Sequence, residues 1–146
     1  MNPRETRSVE ETISLAQELA GEREDCRLFY LRGDLGAGKT LFAKGIAAHY
    51  GVDPSHVVSP TFSIVNRYSD GDRVLYHLDL YRIEDERELD ELGIEEMEEE
   101  DAVLMIEWAE KIGRYARADA TDVLIEVTGE DSRRIVVTRG NQEDLD

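Results

Sequence analysis

Eight residues constrain this 146-residue chain more than any others. Gly33-Asp34-Leu35-Gly36-Ala37-Gly38-Lys39-Thr40 satisfies every fixed position of G-x-x-x-x-G-K-[ST]. Such a loop needs a strand before it and a helix after it, and both patterns are present. Cys26 to Arg32 (CRLFYLR) reads as a short buried strand. Lys39 to Tyr50 reads as a helix that Gly51 ends. The layout follows from the chemistry of an anion. Phosphate oxygens must approach the backbone closely, so side chains are dispensed with at positions 33, 36 and 38, and the loop amides converge at a helix N-terminus. Gly33, Gly36, Ala37, Gly38, Lys39, Thr40 and Leu41 are therefore the candidate ATP-binding residues. Lys39 is directed to the β/γ-phosphates and the Thr40 hydroxyl to Mg2+. None of the three lysines follows an asparagine, so the Asn-Lys-x-Asp pattern common in guanine recognition is missing and ATP is favoured over GTP.

The rest of the chain interleaves helix and strand. Ser8 to Ala20 is an amphipathic helix with a capping-box spacing at Ser8 and Glu11 and a stop at Gly21. After SPTF (Ser59 to Phe62), a strand-like run reaches Tyr68 and the turn Ser69-Asp70-Gly71-Asp72. Val74 to Tyr81 (VLYHLDLY) is a strand. Ala102 to Ile106 (AVLMI) is a continuous apolar run, as expected of a strand buried on both faces. Thr121 to Thr128 and Arg134 to Arg139 alternate as a hairpin. The fold class expected is α/β: a P-loop NTPase-like three-layer fold, mostly parallel, with antiparallel hairpin additions. Residues 1–139 are expected to form a single domain and 140–146 a polar tail.

Charge excludes several functions. The net charge is −17, which argues against a direct grip on nucleic acid or an anionic membrane. No apolar run approaches a membrane span. The one cysteine, Cys26, cannot form an internal disulfide, so a reducing cytoplasm is expected, with Cys26 as a small buried hydrophobe. Of 17 basic residues only Lys39, Lys44 and Lys111 are lysines. Many carboxylates with few lysines suit either a protein kept soluble in concentrated salt or an ordinary acidic one. Between Glu84 and Asp101, twelve carboxylates accompany one arginine. Leu89, Leu92, Ile94 and Met97 keep an apolar face there, so short exposed helices with a solvated acidic face are expected.

A phosphate loop alone binds; hydrolysis also needs a metal-holding acid and a means of orienting water. Asp79 and Glu107 both close apolar strands, and the carboxyl ends of such strands are where ligands bind. Glu107, after four apolar residues, resembles a Walker-B carboxylate. Each also fits a plain strand-end acid. Thr61, after a Ser-Pro pair, is a candidate switch threonine or simply the start of a hairpin. His77 reads as a strand residue packing beside the site rather than a base. No Ser/His/Asp pattern or Cys/His cluster is present.

Taken together, GDLGAGKT at 33–40, SPTF at 59–62, HLDLYR at 77–82 and EW at 107–108 resemble the TsaE family, from the first helix to the last hairpin. Its members are small P-loop ATPases of tRNA threonylcarbamoyladenosine synthesis. The resemblance implies a protein that binds ATP and Mg2+, hydrolyses ATP slowly and acts in the cytoplasm with TsaB and TsaD. Hydrolysis there resets the complex, and tRNA is met only through it. Carried over, Gly36 to Leu41 wrap the phosphates and Thr40 and Glu107 hold Mg2+. Asp79 organises metal or attacking water, and Thr61 senses the γ-phosphate. Trp108 packs beside the site, and the Ser8 to Thr12 stretch and Arg133 or Arg134 lie near the adenine. Arg82 is a candidate internal arginine finger. The acidity between Glu84 and Asp101 departs from the resemblance and leaves the partner surface open. Two other functions fit the loop. One is a nucleotide-gated assembly factor with incidental hydrolysis. The other is a small-molecule kinase, against which the acidic rather than arginine-rich insert argues.

Overall fold

The computed structural model describes residues 3–34, 36–60, 62–69 and 71–139. Thr61 and the 140–146 tail lie outside these residues. Seven strands form one sheet: β1 (Arg4–Thr6), β2 (Leu28–Arg32), β3 (Val65–Tyr68), β4 (Leu75–Asp79), β5 (Val103–Glu107), β6 (Thr121–Val127) and β7 (Arg133–Arg139). Their order is β1-β7-β6-β2-β5-β4-β3. The central four, β6-β2-β5-β4, run parallel. β7 and β1 at one edge and β3 at the other run antiparallel. The α/β three-layer architecture expected from the sequence is present. A parallel core demands that both sheet faces be covered, and β5 accordingly has no exposed residue.

Alternation along the strands divides the core in two. Phe29, Leu31, Met105 and Val123 face α1 (Val9–Glu22) and α2 (Lys39–His49). Leu28, Tyr30, Leu104 and Ile106 face α3 (Glu86–Leu92) and α4 (Ile94–Glu99) through Leu89, Ile94 and Met97. Full burial of each such side chain contributes about 1.5–3 kcal/mol. The first two helices touch closely at Gly45, where a Cβ would stand 2.3 Å from the Ile13 carbonyl oxygen and 2.5 Å from Ala16 Cβ. No helix of the described residues is long and apolar enough to cross a membrane.

Local chemistry explains where elements begin and end. Ser8 caps α1, its Oγ accepting from the Glu11 amide at 3.1 Å. The return bond is displaced by one residue, since Glu11 Oε1 accepts from the Arg7 amide at 2.9 Å. Gly21 does not stop α1, which continues to Glu22. The His49 ring lies against Gly21, where a Cβ would be 3.2 Å from it, so this glycine serves packing. Strand β4 ends at Asp79 rather than Tyr81 because the chain turns there, with the Ile83 amide bonded to the Leu80 carbonyl at 3.0 Å. Strand β1, three residues long, carried no pattern in the sequence; its Thr6 hydroxyl shares a buried 2.7 Å hydrogen bond with that of Thr12. Cys26 is buried, its thiol 3.2 Å from the Leu28 carbonyl.

The acidic segment forms the two short helices expected of it, but its face is not merely solvated. Arginines from elsewhere pair with it. Arg114 reaches Glu86 at 3.5 Å and also Asp90. Arg117 reaches Glu98 at 3.2 Å, and Arg67 reaches Glu100 at 3.7 Å. Arg27 and Arg73 both meet Asp101. Each exposed pair contributes about 0–1 kcal/mol, so the gain lies in lowering repulsion across a dense run of carboxylates.

Candidate functional site

The glycine-rich loop leaves β2 after Arg32 and enters α2 at Lys39, at the carboxyl ends of the parallel strands. Gly33 must be bare, because a Cβ there would stand 2.7 Å from the Ile125 carbonyl oxygen of β6. Gly38, at φ +109°, is the N-cap of α2 in the left-handed region. Lys39 is buried and curls back along the loop. Its Nζ donates to the Gly33 carbonyl at 2.8 Å and lies 5.1 Å from the centre of the Trp108 ring. Thr40 and Leu41 occupy the first turn of α2, half-buried. Arg32, where the loop departs, donates to Asp122 at 2.7 Å, and that bond holds its guanidinium above the ordinary range.

Arg133 braces the loop from β7. Its Nε donates to the Ala37 carbonyl at 2.6 Å, and its Nη1 reaches the Ser132, Gly129 and Glu130 carbonyls at 2.8, 3.2 and 3.3 Å. In a trans peptide the carbonyl and the next N–H point in opposite directions. The grip on Ala37 therefore aims the Gly38 N–H away from the hairpin. Arg134, by contrast, pairs with Glu126 at 2.8 Å.

Two carboxylates close the neighbouring strands. Glu107 pairs in register with Leu31 on one side and Asp79 on the other. Both acids are 4% exposed. Glu107 Oε2 lies 2.7 Å from His77 Nε2, and Asp79 Oδ1 accepts from the Tyr81 amide at 2.9 Å. The Asp79 amide in turn donates to the Ile64 carbonyl at 2.9 Å, which ties β4 to the segment after SPTF. Ile64 and Trp108 both have positive φ, 70° and 59°. Such conformations cost bulky residues of order 1–3 kcal/mol and cluster at functional sites. Trp108 stacks obliquely on Tyr81, ring centres 5.0 Å apart. The Arg82 guanidinium lies over the exposed Phe62 ring, 5.6 Å from the centre.

Two buried carboxylates side by side repel unless something neutralises them. With the hydroxyl of Thr40, in the first turn of α2, these side chains offer oxygen donors only, a set that suits a hard divalent cation. Among the described residues no group of three or more His, Cys, Asp or Glu is placed to hold a metal ion by itself.

Sequence reasoning located the loop, the two acids and Trp108. It missed the grip of Arg133 on Ala37 and the bond from His77 to Glu107. The period of two in H-x-D was the available signal, because it puts His77 and Asp79 on one strand face.

Fold and loop together define an α/β protein whose central strand feeds a phosphate-loop sequence into a helix, beside two acids on the next strands. Comparison with known proteins narrows the class. Residues 6–136 match the family model for the threonylcarbamoyl adenosine biosynthesis protein TsaE. The tRNA threonylcarbamoyladenosine biosynthesis protein TsaE of Bacillus subtilis is 39% identical over 96% of this chain and 87% of its own. Its counterpart in Aquifex aeolicus is 36% identical over 90% and 92%. The crystal structure of YdiB from Bacillus subtilis superposes with a TM-score of 0.74 at 32% identity, covering 96% of this chain and 86% of that one. The chain belongs to the TsaE family.

Proposed function

We propose that this chain is the Mg2+-dependent ATPase of the tRNA N6-threonylcarbamoyladenosine machinery, resetting a TsaB–TsaD complex between turnovers in the cytoplasm. Family membership supports the pathway. The observation that carries the activity is the glycine loop between β2 and α2 with two buried acids in register on the adjacent strands. In this reading Gly33, Gly36, Ala37, Gly38, Lys39, Thr40 and Leu41 bind ATP. Lys39 leaves the Gly33 carbonyl to meet the terminal phosphates. Thr40 and Glu107 would hold Mg2+, which neutralises phosphate charge when bound. Asp79 orients the metal or the attacking water, and Thr61 senses the γ-phosphate.

Slow turnover follows from the arginines. Arg82 sits over Phe62, and the Arg133 guanidinium is bonded to carbonyls. An arginine finger changes rates by about 10³–10⁵ in other P-loop enzymes, and in this reading a partner has to complete the site. A chain of net charge −17 also leaves tRNA binding to those partners.

The test is reconstituted modification with TsaB, TsaD, threonylcarbamoyl-adenylate and tRNA. Wild type is expected to support product beyond one equivalent per complex, and Glu107→Gln is expected to stop after one. Equal multiple turnover by both would make hydrolysis dispensable and the protein an assembly factor. Phosphate reaching an acceptor other than water would make it a kinase.

A further inference from the structure

The imidazole of His77 is fully buried in the middle of β4. Its Nε2 lies 2.7 Å from Glu107 Oε2, itself on a carboxylate that is 5% exposed. Its Nδ1 is buried without a hydrogen-bond partner among the described residues. A carboxylate oxygen accepts, so Nε2 is the nitrogen that donates to Glu107. A buried polar atom left unpaired is destabilising. Retaining a histidine with one idle nitrogen points to the work of the other.

That work is geometric. A glutamate has three side-chain torsions, and the carboxylate of Glu107 stands at a strand end beside the loop. One oxygen pinned by a buried donor restricts the rotation of the carboxylate and leaves Oε1 as its second acceptor. Such partners, one step removed from a metal, alter its affinity about 10–100-fold when lost. We infer that His77 is a positioning residue: it locks the Glu107 carboxylate in the orientation that receives the divalent cation accompanying ATP. This rests on the reading of Glu107 as a cation ligand given above.

The test uses two polar, neutral replacements that place an amide differently. In His77→Gln the amide nitrogen falls near the position of Nε2 and can still donate to Glu107. In His77→Asn it falls near Nδ1 and cannot. ATP affinity is measured by calorimetry with Mg2+ and again with EDTA, below the melting transition of each variant. The expected result is about a tenfold loss of Mg2+-dependent affinity in His77→Asn, near wild-type affinity in His77→Gln, and metal-free ATP binding within about twofold of wild type in both. If His77→Asn does not fold, His77→Leu takes its place as the donor-free variant. Equal behaviour of the donor-bearing and donor-free variants would overturn the inference, as would equal losses with and without Mg2+. Glu107→Gln in the same titration separates the two levels of argument. If it leaves Mg2+ dependence intact, the ligand reading of Glu107 fails and the role of His77 falls with it. If it removes that dependence while His77→Asn does not, the ligand stands and only the positioning role is lost.

Discussion

Removing the Arg133 side chain is expected to weaken both the fold and the loop, by amounts the hydrogen bonds set. Arg133 makes two short charge-assisted bonds, 2.6 Å to the Ala37 carbonyl and 2.8 Å to the Ser132 carbonyl. Bonds to charged groups contribute about 1.5–3 kcal/mol each when well buried. These are half-buried, and water repays part of the loss. A net cost of about 2 kcal/mol for Arg133→Ala is therefore reasonable. For a domain of this size that lowers the melting temperature by about 4–8 °C. The functional consequence is separable. Without the grip on Ala37, the Ala37–Gly38 peptide is free to turn, and the Gly38 N–H is no longer held in one direction. Losing one preorganised donor toward phosphate is expected to weaken ATP about tenfold, or about 1.4 kcal/mol. Arg133→Lys recovers only part of either loss, because one ammonium cannot span both ends of a planar fork. Thermal unfolding and calorimetric ATP titration read the two effects. Unchanged melting would refute the brace altogether. Lowered melting with unchanged ATP affinity would show that the loop is organised without Arg133.

Gly45→Ala is expected to destabilise by about 1–3 kcal/mol through overpacking, since the new Cβ would meet Ile13 and Ala16 of α1 at under 3 Å; urea unfolding checks this, and a neutral result would mean the two helices can separate freely. Alkaline unfolding has a definite sign. Burial is the main cause of the raised phenol pKa of Tyr30, which accepts from the Arg117 amide at 2.9 Å. The folded value lies above the unfolded one, so the contribution is complete below about pH 10 and is lost as pH climbs through the folded value. Tyr30→Phe should flatten that limb of the urea-midpoint profile, and an unaltered limb would assign it elsewhere. Melting temperature should rise from dilute to molar KCl, because screening relieves the repulsion within a chain of net charge −17 more than it weakens exposed ion pairs. A flat or falling curve would mean that the arginine pairs on the acidic segment dominate.

The elements legible in the sequence were those whose burial is dictated by one residue type. AVLMI could only be a strand covered on both faces, and β5 is one. The glycine loop was legible because its residues satisfy every fixed position of the phosphate-loop pattern. The misses have a common origin in long-range contacts. Gly21 reads as a stop by local rules, but His49, twenty-eight positions later, packs on it. Strand β1 has three residues and no period to detect, and it exists because β7 offers it an edge. His77 looked like a packing residue because nothing local shows that Glu107, thirty positions away, stands 2.7 Å from its ring.

The same contrast between local and distant partners explains the basic residues. All three lysines point at backbone carbonyls of loops around the site. Lys39 holds Gly33, Lys44 holds Pro54 and Val57 at 2.9 and 2.7 Å, and Lys111 holds Tyr81 and Ile83 at 2.5 and 3.2 Å. In each, a compact ammonium with rotatable donors meets carbonyl oxygens, as the Arg133 guanidinium also does at Ala37 and Ser132. The arginines mostly meet carboxylates, where a fork suits the partner. The segment leading into SPTF, the glycine loop and the turn after Asp79 each receive one of the three ammonium groups on their carbonyls.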